Sequence, residues 1–353
     1  MLVITLFAWL PLAVLSFIDG HLYGGEILPF LRDIESQVRL LVALPLLIIA
    51  ELVVHRRSVL ALRCFVERRM VTAEDSPNFH AAIAAALRMR NSLWPEVALL
   101  LFVYTAGHWI WRTDIALGAA TWYAVPEGTG LHLTAAGYWY AFVSIPIFQF
   151  ILLRWYLRLG IWFWLLWRAS RLNLHLLPTH PDRAGGLGFL GGSSYAFAPV
   201  LFAQGAVFAG LIANRIFYQE QNLLSFKMMI ATVVSSFVLV IILPLTMFTP
   251  HLSHTKRSGL RAYGTLATDY AEDFDEKWIR GGAKGEALLG TTDIQSLADL
   301  GNGYAVVREM RLVPFTLGDV SRLVGTVALP VAPLLLTIMP LEELMTEVLK
   351  VMF

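Results

Sequence analysis

One cysteine, Cys64, stands in 353 residues. It excludes an intramolecular disulfide and any metal site built from cysteine alone. Charge is scarce as well: Asp, Glu, Lys and Arg make up 15% of the chain, against roughly 25% in ordinary soluble proteins. A water-soluble fold of this size needs more charge than that to cover its surface. The net charge is only +1, so no basic footprint for nucleic acid exists and none is expected as a partner.

What the chain has is apolar sequence, 57% hydrophobic in all, with a mean hydropathy of +0.63. It comes in runs of roughly 17 to 24 residues, the length that crosses ~30 Å of hydrocarbon at ~1.5 Å per residue. Spans are predicted at about 2–18, 37–54, 93–111, 135–153, 195–217, 228–249 and 323–341. The expected fold is all-α: a single polytopic membrane helix bundle of about seven spans with a cytoplasmic helical layer. The first run starts at Met1 with no basic leader and no small-residue cleavage site, and is read as a retained helix.

Orientation follows from the basic residues of the connections. Segment 55–92 carries Arg56, Arg57, Arg63, Arg68, Arg69, Arg88 and Arg90. Segments 154–194 and 250–322 are similarly basic. Segment 112–134 has only Arg112, 218–227 only Lys227, and 19–36 only Arg32, with Arg39 just inside the next helix. The alternation places the N-terminus inside and the C-terminus outside. Aromatic residues fit both boundaries: Trp109, Trp111, Trp122, Tyr123, Tyr138, Trp139 and Tyr140 at the outer, Trp155, Tyr156, Trp162, Trp164 and Trp167 at the inner.

The segments 55–92, 154–194 and 250–322 form the cytoplasmic layer in this scheme. The first reads as two helices broken at Asp75-Ser76-Pro77-Asn78. In the second, residues 154–173 continue span four as an interfacial helix or a long inner extension. The third is helical over Arg257–Trp278, then loops, with a further helix from Ile294 that Gly301-Asn302-Gly303 would end.

Three stretches, Val42 to Leu52, His180 to Phe189 and Asp293 to Leu300, resemble an uncharacterised family of bacterial multi-pass membrane proteins. The resemblance implies a bacterial inner membrane and no assigned activity.

Candidate chemistry is thin. Gly186-Leu187-Gly188-Phe189-Leu190-Gly191 matches the dinucleotide fingerprint in letters, but no strand precedes it and a span follows, so nucleotide binding is not expected. No other pattern specifies a cofactor. The backbone N–H groups of Gly186 and Gly188, beside Arg183, would suit an anion or a lipid headgroup. His180, Asp182, His251 and His254 are weak metal-ligand candidates. The acidic run Asp269, Glu272, Asp273, Asp275 and Glu276 reads as a solvated helix face. Arg154, Arg158, Arg168 and Arg171 share an arc of about 100° on a helix and are expected to bind anionic lipid.

Within the spans charge is rarer still. Glu51, Glu96 and Arg154 fall near the cytoplasmic boundary and His108 near the outer one. Gln204, Ser235 and Ser236 sit near mid-depth, and Pro330 with Pro333 would break span seven there. These five residues are the candidate lining of a polar cavity. Span five carries Gly205/Ala209/Ala213 and Ala206/Gly210/Asn214 at four-residue spacing, a small-residue face for close packing within the chain or in a homo-oligomer. Two functions stand open: a channel- or transporter-like protein using the mid-depth cavity, and a membrane signalling or scaffold protein binding lipids or a partner through its cytoplasmic segments.

Overall fold

A computed structural model of the chain describes residues 2–24, 28–107, 121–127, 130–281, 285, 288 and 290–338. The predicted end of span three with His108, Trp109 and Trp111, most of the following loop, and the end of span seven lie outside the described residues.

The chain is predominantly helical. α1 is Leu2–Ile18, α2 Ile34–Glu67, α3 Ser76–Arg90 and α4 Leu93–Thr105. An antiparallel hairpin follows, β1 Ala124–Glu127 paired with β2 Gly130–Leu133 in the register Ala124↔Leu133. Then come α5 Ala135–Ala169, α6 Phe189–Gln219, α7 Leu223–Ile279, α8 Thr292–Arg308 and α9 Leu317–Thr337. Five of these, α2, α5, α6, α7 and α9, are long and apolar enough to cross a membrane. α1 and α4 are apolar but shorter. The hairpin was not expected in an all-α reading. Gly137 explains its tight seat: a Cβ there would lie 2.0 Å from the Tyr123 carbonyl oxygen.

The prolines mark where the long helices leave α geometry. A π-helical turn, Val38–Ala43, precedes Pro45, and another, Tyr140–Ser144, precedes Pro146. 3₁₀ turns run through Pro244 and through Pro330 and Pro333. Proline has no N–H to donate and its ring crowds the preceding turn, so the hydrogen-bond ladder shifts register beside it. At Pro330 and Pro333, where a break was expected, α9 passes from α to 3₁₀ geometry and continues as one helix to Thr337.

α5 continues without interruption to Ala169, about 50 Å at ~1.5 Å per residue, well beyond the hydrocarbon thickness. Residues 154–169 of the second basic segment are therefore a long extension of the span rather than a separate interfacial helix. α7 likewise runs on far past its apolar part. Gly301-Asn302-Gly303 does not end α8, which continues to Arg308. Two glycines cost roughly 1 kcal/mol each against alanine. Packing on α7 offsets that, since Gly264 faces Tyr304 and Gly259 meets Val307.

Two main cores lie one above the other. At the arginine-rich end, Phe65, Met70, Phe79, Leu166, Leu187, Leu190, Phe248, Leu252, Met310 and Leu323 join the connecting segments to the helix ends. At the hairpin end, Leu12, Phe30, Leu40, Leu44, Leu47, Trp122, Tyr140 and Ile145 gather. α3 adds Ala82 and Ala86 against Leu165 of the α5 extension.

The small-residue face of α6 is used within the chain. A Cβ on Gly205 would lie 2.2 Å from the Val327 carbonyl oxygen of α9, and one on Gly210 would lie 3.1 Å from the Glu35 Cα of α2. Ala206, Ala209, Ala213 and Asn214 are buried. These residues hold α6 against α9 and α2 within the chain.

Candidate functional site

A lateral opening lies between α1, α2, α4 and α5, with α3 closing its lower side. It has an apolar slot and a mixed mouth, in which arginines and glutamates stand among apolar side chains such as Leu62, Ile83 and Leu87. The slot, about 600 Å³, is lined by Val3, Ile4, Phe7, Leu47, Leu100, Ile147, Phe150 and neighbouring residues. The mouth, about 630 Å³, is lined by His55, Ser58, Arg90, Asn91, Glu96 and Trp162, among others. Glu51, Arg154, Trp155 and Arg158 border both, so the two adjoin along these side chains and are treated together as one cleft. Volumes of this order are those of small-molecule and lipid sites.

The helices explain the arrangement. Pro146 at the start of the α-helical part of α5 sets the slot's upper end, and Arg154 and Arg158 follow two and three turns below it on one face. Arg154 donates its Nε to Glu96 of α4 at 2.9 Å. Arg158 donates to Glu51 of α2 at 2.8 Å and lies over the Trp155 ring at 5.5 Å. Trp155 in turn donates Nε1 to the Leu47 carbonyl at 2.8 Å. Each pairing occupies part of a five-donor guanidinium. α4 is the loosest wall: none of Leu93–Phe102 is buried. Tyr104 ties it back to α5 by donating to the Phe142 carbonyl at 3.2 Å.

The other two arginines of the expected lipid-binding arc stand apart from the cleft. Arg168 is exposed in the last turn of α5, and Arg171 stacks over Trp167 at 5.7 Å. The arc of four therefore divides into a pair that lines a cavity and a pair that faces outward.

The five residues assigned to a mid-depth polar cavity do not come together. Gln204 turns toward α5 and donates to the Tyr156 hydroxyl. Ser235 and Ser236 are exposed on the outer face of α7, and Pro333 is exposed on α9. Pro330 lies near Gly205, on another side of α6 from the Gln204–Tyr156 bond. The space beside Gln204 is about 30 Å³, room for no more than a water or two, and its walls are Trp155, Phe197, Val200 and other apolar groups. The polar cavity is thus corrected to a set of separate packing and surface positions.

The glycine turn is also occupied from within. Asp182 Oδ1 accepts from the Ala184 and Gly186 N–H groups at 2.8 and 3.1 Å, and Oδ2 accepts from Gly188 N–H at 2.8 Å. His180 Nδ1 lies 2.9 Å from the same carboxylate. Burial would raise the Asp182 pKa, but the three backbone donors and His180 outweigh it and hold the carboxyl below the usual carboxylate range. The anion that these amides were expected to hold is the protein's own side chain. Arg183 pairs with Glu309 at 3.0 Å.

The metal candidates do not converge. His251 bonds the Ser170 carbonyl at 2.8 Å, and His254 is exposed. Among the described residues no group of three His, Cys, Asp or Glu side chains could hold an ion. The acidic run behaves as a solvated face, with Arg280 donating to Asp275 at 2.6 Å.

Sequence reasoning missed a buried polar network at the hairpin end. Asp33 is 3% exposed and Arg39 6% exposed. Asp33 Oδ1 accepts from Ser36 N–H at 3.1 Å and Asn214 Nδ2 at 2.8 Å. Its Oδ2 accepts from Ser36 Oγ at 2.5 Å and Trp122 Nε1 at 2.9 Å. Arg39 donates to the Tyr140 hydroxyl at 2.6 Å and pairs with Glu35. The available signal was Arg39 itself, since a charge inside an apolar run demands partners. Asp33 also caps α2, a role aspartate favours. The network clamps α2, α5, α6 and the Trp122 segment; every group in it named here is matched, and it opens onto no cavity described above.

Comparison with protein-family models, curated proteins and solved structures gives no match.

Proposed function

We propose that the protein is an integral membrane protein that holds an amphiphile in the cleft between α1, α2, α4 and α5. The observation that carries this is the adjacency of an apolar slot to a mouth containing Arg90, Arg154 and Arg158. An amphiphile has the same two parts in the same order. This develops the lipid-binding alternative. The channel- or transporter-like alternative rested on a shared cavity of Gln204, Ser235, Ser236, Pro330 and Pro333, and those residues are separate.

Counting α1 and α4 with the five long helices gives seven spans, and the arginine-rich end then faces the cytoplasm of a bacterial inner membrane. In a Cys64→Ala background, an impermeant thiol reagent added outside intact cells should spare a cysteine at Gly285 and label one at Thr129, which lies outside the described residues. The opposite pattern would invert the orientation.

Filling the slot tests the binding. Ile147→Trp adds bulk to its wall, whereas Ser236→Trp places the same side chain on an exposed face of α7. Lipid retained through extensive detergent washing, measured by mass spectrometry, should fall severalfold in the first variant and stay unchanged in the second. Equal retention in both would remove the cleft as the binding site.

A further inference from the structure

We infer that the occupant is a phosphodiester lipid of the leaflet at the arginine-rich end, one molecule per cleft, whose phosphate displaces Glu96 from Arg154. The inference rests on the cleft reading above and adds the chemical class of the ligand and the group with which it competes.

The length of the slot points to a single leaflet. From Pro146 to Arg158, α5 rises about 18 Å at ~1.5 Å per residue. Half of a ~30 Å hydrocarbon core is roughly 15 Å. A chain lying along Phe150, Ile147 and Pro146 toward Phe7 therefore spans one leaflet, with its polar end level with Arg154 and Arg158. A ligand crossing both leaflets would exceed the slot. A water-soluble anion would leave the slot unused.

The charge of the mouth points to one negative charge. Its wall holds Arg90, Arg154 and Arg158 against Glu51 and Glu96, three guanidinium groups to two carboxylates, an excess of one positive charge. A phosphodiester supplies one negative charge and accepts bidentate hydrogen bonds from a guanidinium. A zwitterionic headgroup brings no net charge, and its ammonium would have to draw a glutamate away from an arginine as well. Of the two glutamates, Glu96 is the one to yield. It stands on α4, whose residues Leu93–Phe102 include none that is buried, and it borders only the mouth. Glu51 stands on α2, which is anchored in the cores at Leu44, Leu47 and Ala50.

The prediction separates this role from a structural ion pair. Glu96→Gln and Arg154→Gln break the same contact. If the pair only fastens α4, both weaken the protein and affect lipid in the same direction. If Glu96 competes with phosphate, Glu96→Gln tightens binding and Arg154→Gln weakens it, each by about fivefold, the worth of one charge near an anionic headgroup. The full-length protein in detergent is titrated with diacyl phosphatidylglycerol, diacyl phosphatidylethanolamine and free glycerol phosphate. Binding is read from the concentration dependence of the melting shift and from lipid adducts in native mass spectrometry. Arg158→Gln serves as a second weakening variant if Arg154→Gln is not recovered folded. The expected result is saturable binding of one phosphatidylglycerol, weaker phosphatidylethanolamine, no shift with glycerol phosphate, and opposite effects of the two substitutions. Equal binding of the two lipids, or parallel effects of Glu96→Gln and the arginine variants, would overturn the charge assignment while leaving the cleft reading in place. A shift with glycerol phosphate equal to that with lipid would make this a soluble-anion site. No saturable binding of either lipid would fail the cleft reading itself.

Discussion

Asp33→Ala is expected to be the most damaging single substitution in the chain, costing about 3–5 kcal/mol, the range for removing one partner of a buried charge network. The carboxylate takes hydrogen bonds from Ser36, Asn214 and Trp122, which belong to α2, α6 and the segment before the hairpin. Without it four donors on three residues lose their acceptor in a buried place. Arg39, bonded to Tyr140 and Glu35 in the same cluster, loses a compensating negative charge. Each buried unmatched donor costs roughly 1–3 kcal/mol. Asp33→Asn keeps the shape and two lone pairs but presents an NH₂ toward groups that also donate, so it should fall between alanine and the wild type. The readout is the apparent melting temperature in detergent at one heating rate, since membrane proteins often unfold irreversibly. A melting temperature for Asp33→Ala within a degree of the wild type would show that the network does not hold these helices.

The second large effect comes from the smallest possible change, Gly205→Ala. The added Cβ would stand 2.2 Å from the Val327 carbonyl oxygen. That oxygen belongs to the backbone and cannot swing aside as a flexible side chain does, so α9 must move off α6. Overpacking of this kind costs typically 1–3 kcal/mol and sometimes more. It should also loosen Leu323 and Val327, which are buried in the core at the arginine-rich end. Gly160→Ala is the control, because nothing lies within 4 Å of a Cβ there. It should be neutral or slightly stabilising, as alanine favours helix over glycine by about 1 kcal/mol. Equal melting temperatures for the two variants would contradict the packing of α9 on α6.

The parts of the fold that were legible in sequence depend on position along one helix. Apolar length gave the long helices, and proline chemistry marked Pro330 and Pro333, where α9 passes from α to 3₁₀ geometry. The arc of Arg154 and Arg158 pointed to a basic face because 100° per residue places them together. What was not legible depends on how a helix is rotated against its neighbours. Gln204 and Ser235 lie at similar expected depths, yet α6 turns Gln204 to Tyr156 while α7 leaves Ser235 on its outer face. Helices that are apolar all round carry little sequence signal for that rotation. The Asp33 network was hidden for a related reason: its members at 33, 36, 39, 122, 140 and 214 are scattered over most of the chain. Asn214 was recognised only as part of a small-residue face, although its amide bonds Asp33 and the Ile34 N–H at 2.8 and 3.1 Å. The glycine turn drew attention for its free amides, and the answer lay four residues upstream of Gly186, in Asp182.

The cleft itself needs both kinds of information. Its arginines come from periodicity within α5. Its slot exists because α4 stands against α5 without burying any of Leu93–Phe102, and because α1 crosses at Val3, Ile4 and Phe7. Neither fact is written in a single helix.

Photo-crosslinking tests the central claim most directly. A phosphatidylglycerol bearing a diazirine midway along one acyl chain is incorporated with the protein into vesicles, illuminated, and the modified residues are mapped by mass spectrometry. Occupancy of the cleft predicts modification concentrated at Leu47, Leu100, Ile147, Phe150 and Ile151, and loss of that signal in Ile147→Trp. Modification spread evenly over the exposed faces, with Leu239 and Val240 of α7 labelled as heavily as the slot, would mean that lipid only bathes the protein.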